Sequence, residues 1–138
     1  MINVLILSHC ELTKELIKTA EVIAGKQENL FYIDQDIKNE NLASLQEKIS
    51  EILIKINNEK GTLILTDMLG GTPCNASVLL TKDFNIEVLT GVNLPMILSA
   101  IFASRSAQNA KELADKVLSD GKKSMVNAKQ LLMERMNK

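Results

Sequence analysis

Val4-Leu5-Ile6-Leu7-Ser8-His9-Cys10-Glu11-Leu12, close to the start of the chain, decides how the rest is read. Val4 to Leu7 is an unbroken aliphatic run, the pattern of a strand covered on both faces rather than on one. The period then changes. Leu12, Leu16, Ile17, Ala20, Ile23 and Ala24 recur at helical spacing, and Gly25 supplies a stop. A doubly buried strand followed at once by an amphipathic helix is the first half of a βαβ unit. His9 sits at the handover and is the only histidine among 138 residues.

The same alternation continues. Leu30 to Ile33 reads as a second strand, and Leu42, Leu45, Ile49, Ile52, Leu53 and Ile56 mark a long amphipathic helix. Thr62 to Thr66 is a third strand, ending in Asp67. Gly70-Gly71-Thr72-Pro73 forms a loop, with Thr72 as N-cap, Pro73 at the first helical position and a helix through Leu80. Ile86 to Leu89 is a fourth strand. Helices follow over Pro95–Ala103 and Ala107–Leu118, the second closed by Gly121. The tail 122–138 admits two readings, a short strand at Ser124-Met125-Val126 or a helix over Gln130–Met136. Strands alternating with helices require parallel pairing and right-handed crossovers. The expectation is one domain, 1–138, folded as a doubly wound α/β sandwich. Its mainly parallel four-stranded sheet takes the order 2-1-3-4.

Composition removes several classes of function. Apolar residues make up 46% of the chain, enough for a packed core, but aromatics only 3%, so base-stacking platforms are lacking. Net charge is −1 with the charges interspersed, which argues against nucleic acid and against direct binding to an anionic membrane. Two cysteines, Cys10 and Cys74, do not make a disulfide scaffold. With no charged leader and no apolar run near the roughly 20 residues of a membrane span, the expected location is the cytoplasm. One His and two Cys do not make a zinc site, and no phosphate-loop or dinucleotide motif occurs, so neither metal nor cofactor is expected. Lys138 ends the chain without a linker-like stretch, which favours a free-standing unit.

In an open parallel sheet, ligands bind beyond the carboxyl ends of the strands where strand order reverses. In the order 2-1-3-4, His9 after strand one and Asp67 after strand three are neighbours there. A carboxylate that accepts a proton from one ring nitrogen fixes the tautomer and frees the other nitrogen as a nucleophile. Ser8-His9-Cys10-Glu11 has the form of a capping box, with Ser8 as N-cap, Glu11 as its N3 partner and His9 in the first helical turn. A group on His9 then faces free N–H groups at a helix N-terminus. Ser8, Gly70, Gly71 and Thr72 are the candidate phosphate contacts, since glycines admit a ligand close to the backbone.

Together these residues resemble the IIA component of the bacterial sugar phosphotransferase system, mannose/fructose/sorbose family. The resemblance runs through Val4–His9, Ala20–Asn29, Leu63–Ala76 and Thr90–Met96. It implies that His9 accepts a phosphoryl group from the carrier HPr and passes it to a IIB component for sugar uptake. Asp67 then pairs with the histidine, and Gly71 and Thr72 overlie the phosphoryl group. It also implies a homodimer that exchanges a C-terminal strand, for which Ser124-Met125-Val126 is the candidate. The membrane is reached only indirectly, through the sugar permease. Two positions depart from the family pattern: Cys10 stands where Gly is usual, and Leu69 where an aromatic is common. Two alternatives remain open, a regulatory module switched by phosphorylation of His9 and the phosphoryl carrier of a dihydroxyacetone kinase system. A flavodoxin-like binder with a structural His9 is a third, against which the scarcity of aromatics weighs.

Overall fold

The computed structural model describes residues 1–33 and 40–137; Lys138, the last residue of the tail, lies outside them. Four parallel strands, β1 (Asn3–Leu7), β2 (Leu30–Ile33), β3 (Thr62–Thr66) and β4 (Ile86–Leu89), form one sheet in the order β2-β1-β3-β4. The central pair β1 and β3 is aliphatic over Val4–Leu7 and Leu63–Leu65, and strand alternation divides these side chains between two cores. Val4, Ile6, Leu63 and Leu65 face one way, against α1 (Leu12–Ala24), α4 (Leu94–Ala103) and α5 (Ala110–Ser124). Leu5, Leu7 and Ile64 face the other way, against α2 (Leu42–Ile56) and α3 (Thr72–Leu79). Helices on both faces of a parallel sheet make this the doubly wound architecture expected from the sequence.

Local chemistry explains most boundaries. α1 stops at Ala24 because Gly25 takes φ +85°, and α2 starts where Asn41 and Ser44 cap one another reciprocally. α3 gives way to a short 3₁₀ turn at Leu80–Lys82. Other boundaries differ from the sequence reading. α1 begins at Leu12, not at His9, because Cys10 adopts a left-handed conformation (φ 55°) that prevents a first turn from starting earlier. α3 is capped by Gly71, with Thr72 already helical and Pro73 in its first turn. α5 starts at Ala110, where the Asn109 side chain accepts from the Glu112 N–H, and runs to Ser124.

Gly121 therefore does not close α5. It is buried inside the helix, and a methyl group there would meet Met96 Cγ of α4 at 2.6 Å. The glycine lets two helices approach. In the tail, Ser124-Met125-Val126 is not a strand of the subunit's sheet. Ser124 belongs to α5, and Met125 and Val126 link it to a further helix, α6 (Ala128–Met136), which buries none of its residues.

Gly121→Ala is expected to destabilise the protein by about 1–3 kcal/mol through overpacking against Met96, although alanine is the better helix former. Urea unfolding with an unchanged m-value measures it.

Candidate functional site

The switch point lies between β1 and β3, whose register sets Leu7 beside Thr66. The chain after each strand therefore emerges at the same height. There a single oxygen, Asp67 Oδ2, accepts from the His9 backbone N–H at 2.9 Å and lies 2.7 Å from His9 Nδ1. The other oxygen, Oδ1, accepts from the Met68 N–H at 3.0 Å. A carboxylate only accepts, so the ring proton belongs on Nδ1 and the lone pair on Nε2. The His9 side chain is 42% exposed and that of Asp67 14%. The pair thus has its acid inside and its base at the surface.

Burial acts to raise the Asp67 pKa. The His9 backbone N–H, the His9 ring and the ring's charge, together with the backbone of the Asp67 turn, outweigh burial and hold the carboxyl below its ordinary value of 3.8. Asp67 is therefore ionised at neutral pH, as an orienter of imidazole must be.

The surrounding loops are fixed by their own bonds. Gly91 N–H donates to the Asp67 carbonyl and Val92 N–H to that of Thr66, so the chain after β4 is tied to the end of β3. Asn75 Nδ2 donates to the Gly70 carbonyl at 3.3 Å. Gly70 has φ +84° with open space around it, so the turn requires a residue at ease in the left-handed region. Gly71 has φ −78°, which any residue adopts, but it lies against the His9 ring. Its lack of a side chain leaves the first N–H groups of α3 without a side-chain cap.

His9, Asp67 and Gly71 are brought together as the sequence suggested. Ser8 is not part of the exposed site. It is fully buried, and its hydroxyl accepts from the Thr13 N–H at 2.9 Å and from the Thr13 hydroxyl at 2.6 Å. No capping box forms, because Ser8 reaches Thr13 rather than Glu11, so His9 lies on a connecting turn instead of the first helical turn. The sequence reading missed the His9 backbone N–H, the Asn75 brace and the left-handed Cys10. An Asn on the first turn after a glycine pair is a signal for the second; the other two depend on tertiary contacts. Among the described residues, no group of three or more His, Cys, Asp and Glu is placed to hold a metal ion, and no helix is long and apolar enough to cross a membrane.

An open parallel α/β sheet with a histidine oriented by a carboxylate and 42% exposed at its switch point defines the site. Residues 3–118 match the family model described as the fructose IIA component of the PTS, the phosphotransferase system, and the chain belongs to that family. It is 35% identical over 122 residues to the mannose-specific EIIAB component of Escherichia coli K12, covering 88% of this chain and 38% of that protein. The chain thus spans well under half the length of that relative. Identity to the fructose-specific EIIA component of Bacillus subtilis is 34% over 102 residues, 73% of this chain and 69% of that one. Among solved structures, component EIIA from Streptococcus agalactiae superposes with a TM-score of 0.85 at 29% identity, covering 94% of this chain and 99% of that one. The mannose/sorbose-specific IIA subunit from Enterococcus faecalis gives 0.82 at 26% identity, with 91% and 93% covered.

The depressed Asp67 pKa makes a pH prediction. A carboxyl whose pKa falls on folding contributes stability above its unfolded value and loses that contribution as pH drops through the folded one. Wild type is expected to exceed Asp67→Asn in stability at neutral pH, with the gap closing only below about pH 4. Thermal unfolding of both proteins between pH 7 and pH 3 measures the gap.

Proposed function

We propose that the protein is a phosphoryl relay in which His9 Nε2 accepts a phosphoryl group from phospho-HPr and hands it to a IIB component. The observation that carries this reading is the 2.7 Å Nδ1–Asp67 bond, which commits one ring nitrogen and leaves the other bare at the surface. The Nε2 lone pair attacks phosphorus. An N–P bond forms, the bond between phosphorus and the donor breaks, and its electron pair leaves with the donor. The ring, still protonated at Nδ1, becomes cationic, and Asp67 stabilises it without taking the proton. In the second transfer the acceptor attacks phosphorus and the Nε2–P electrons return to the ring.

Positioning and charge stabilisation dominate such transfers. The N–H groups of Thr72 and Cys74 at the start of α3, with the Thr72 hydroxyl and the backbone of Gly70 and Gly71, are the proposed partners of the phosphoryl oxygens. Leu12, Met68 and Leu69 are exposed on the segments that flank the ring, an apolar rim suited to transient docking.

A homodimer belongs to the same reading. A nine-residue helix is marginal alone in water, yet α6 buries nothing and exposes Leu132, Met133 and Met136. A second copy of the chain supplies the missing surface. Sedimentation of the full chain is expected to give a dimer, and a monomer at micromolar concentration would remove this part of the reading.

Incubation with phosphoenolpyruvate, enzyme I and HPr is expected to add one phosphoryl mass, absent in His9→Gln. Asp67→Ala should remain folded and slow the transfer by roughly 10²–10⁴-fold. An unmodified wild type, or modification that survives His9→Gln, refutes the relay.

A further inference from the structure

Two adjacent glycines at the site are glycine for different reasons. Gly70 requires a left-handed backbone and has open space around it. Gly71 has an ordinary φ of −78° and ψ of 161°, so its backbone asks nothing of glycine. What excludes a side chain there is the imidazole. A methyl group on Gly71 would lie 2.7 Å from His9 Cε1 and 3.4 Å from Nε2, with Met68 Cγ also at 3.4 Å. Real Cβ atoms do not come within 3.0 Å of another heavy atom, so an alanine forces the ring or the loop to move.

We infer that Gly71 is a positioning residue, the wall that sets the plane of the His9 ring against Asp67. His9 is then held at three places by the 67–71 segment. Asp67 Oδ2 takes its backbone N–H and faces Nδ1, while Gly71 lies against the adjoining Cε1, between the two ring nitrogens. Two hydrogen bonds to one oxygen fix where the ring is attached and hold its Nδ1, yet a single contact to the ring still lets it tilt about that point. A loop that leaves no room for a methyl group beside Cε1 limits that tilt. The wall sits beside the nucleophilic nitrogen, so it also sets the line along which Nε2 meets an incoming phosphorus, where misplacement by about 1 Å costs on the order of 10²-fold in rate. This role in transfer rests on reading His9 as the nucleophile. The role in holding the ring does not.

Because His9 is the only histidine, a long-range ¹H–¹⁵N spectrum reports on this ring alone. At a pH where the ring is neutral, wild type is expected to carry its proton on Nδ1. Gly71→Ala is expected to shift population to the Nε2-protonated form as the Asp67 bond loosens, and to lower the rate of phosphorylation by about 10²-fold. A wild-type ring spectrum in Gly71→Ala overturns the proposal even if the rate falls, since the glycine would then serve the phosphoryl group and not the ring. A changed spectrum with an unchanged rate overturns its part in transfer. Wild type that takes no phosphoryl group refutes the relay, and the spectrum still decides the wall.

Stability gives a second route should the spectrum of the variant be poor. Gly71→Ala is expected to lower Tm by a few degrees in wild type. In a His9→Ala background, where the ring is gone, only the smaller loss from placing alanine at the N-cap of α3 should remain. Equal losses in both backgrounds would overturn the proposal.

Discussion

One carboxylate oxygen joins the two central strands at their functional ends. Asp67 Oδ2 receives both the backbone N–H and the ring side of His9. The first bond fixes where the loop after β1 goes, and the second fixes which ring nitrogen carries the proton. Neither is available unless β1 and β3 are neighbours in register, with Leu7 beside Thr66. Those strands are neighbours at the centre of the sheet because both carry aliphatic runs, Val4–Leu7 and Leu63–Leu65, that must be covered on both faces. The imidazole therefore takes its rigidity from the sheet while its outer edge stays in solvent.

This dependence sets what could be read from the sequence. Val4–Leu7 and Leu63–Leu65, the aliphatic middle of Thr62–Thr66, declared themselves because two-sided burial leaves no polar residue inside the run. α2 was legible because Leu42, Leu45, Ile49, Ile52, Leu53 and Ile56 recur at helical spacing, and the reciprocal cap of Asn41 and Ser44 that starts it is a local device the structure adds. The pairing of His9 with Asp67 followed once the strand order was assumed.

The misreadings share a cause. Ser8 and Glu11 satisfy a local capping pattern, but His9 must turn its N–H to Asp67, and Cys10 takes φ 55° to allow it. Nothing in a cysteine announces that conformation, which costs a non-glycine residue roughly 1–2 kcal/mol. Likewise Gly121 looks like a stop within its own helix. It becomes an interior residue only through Met96 on the facing helix, and the periodicity of one helix carries no information about another. The resemblance to a family with glycine at position 10 fits this account, since there the turn would form without that strain.

The same loop also separates what the fold fixes from what it leaves free. Asp67 and Gly71 are constrained by the ring they hold, and Gly70 by its backbone. Leu69 lies between them at 79% exposed. The fold gains almost nothing from the identity of that side chain, so its substitution alters the outer surface without disturbing the clamp beneath. Under the proposed relay, variation at this position bears on which protein docks and not on how the imidazole is held.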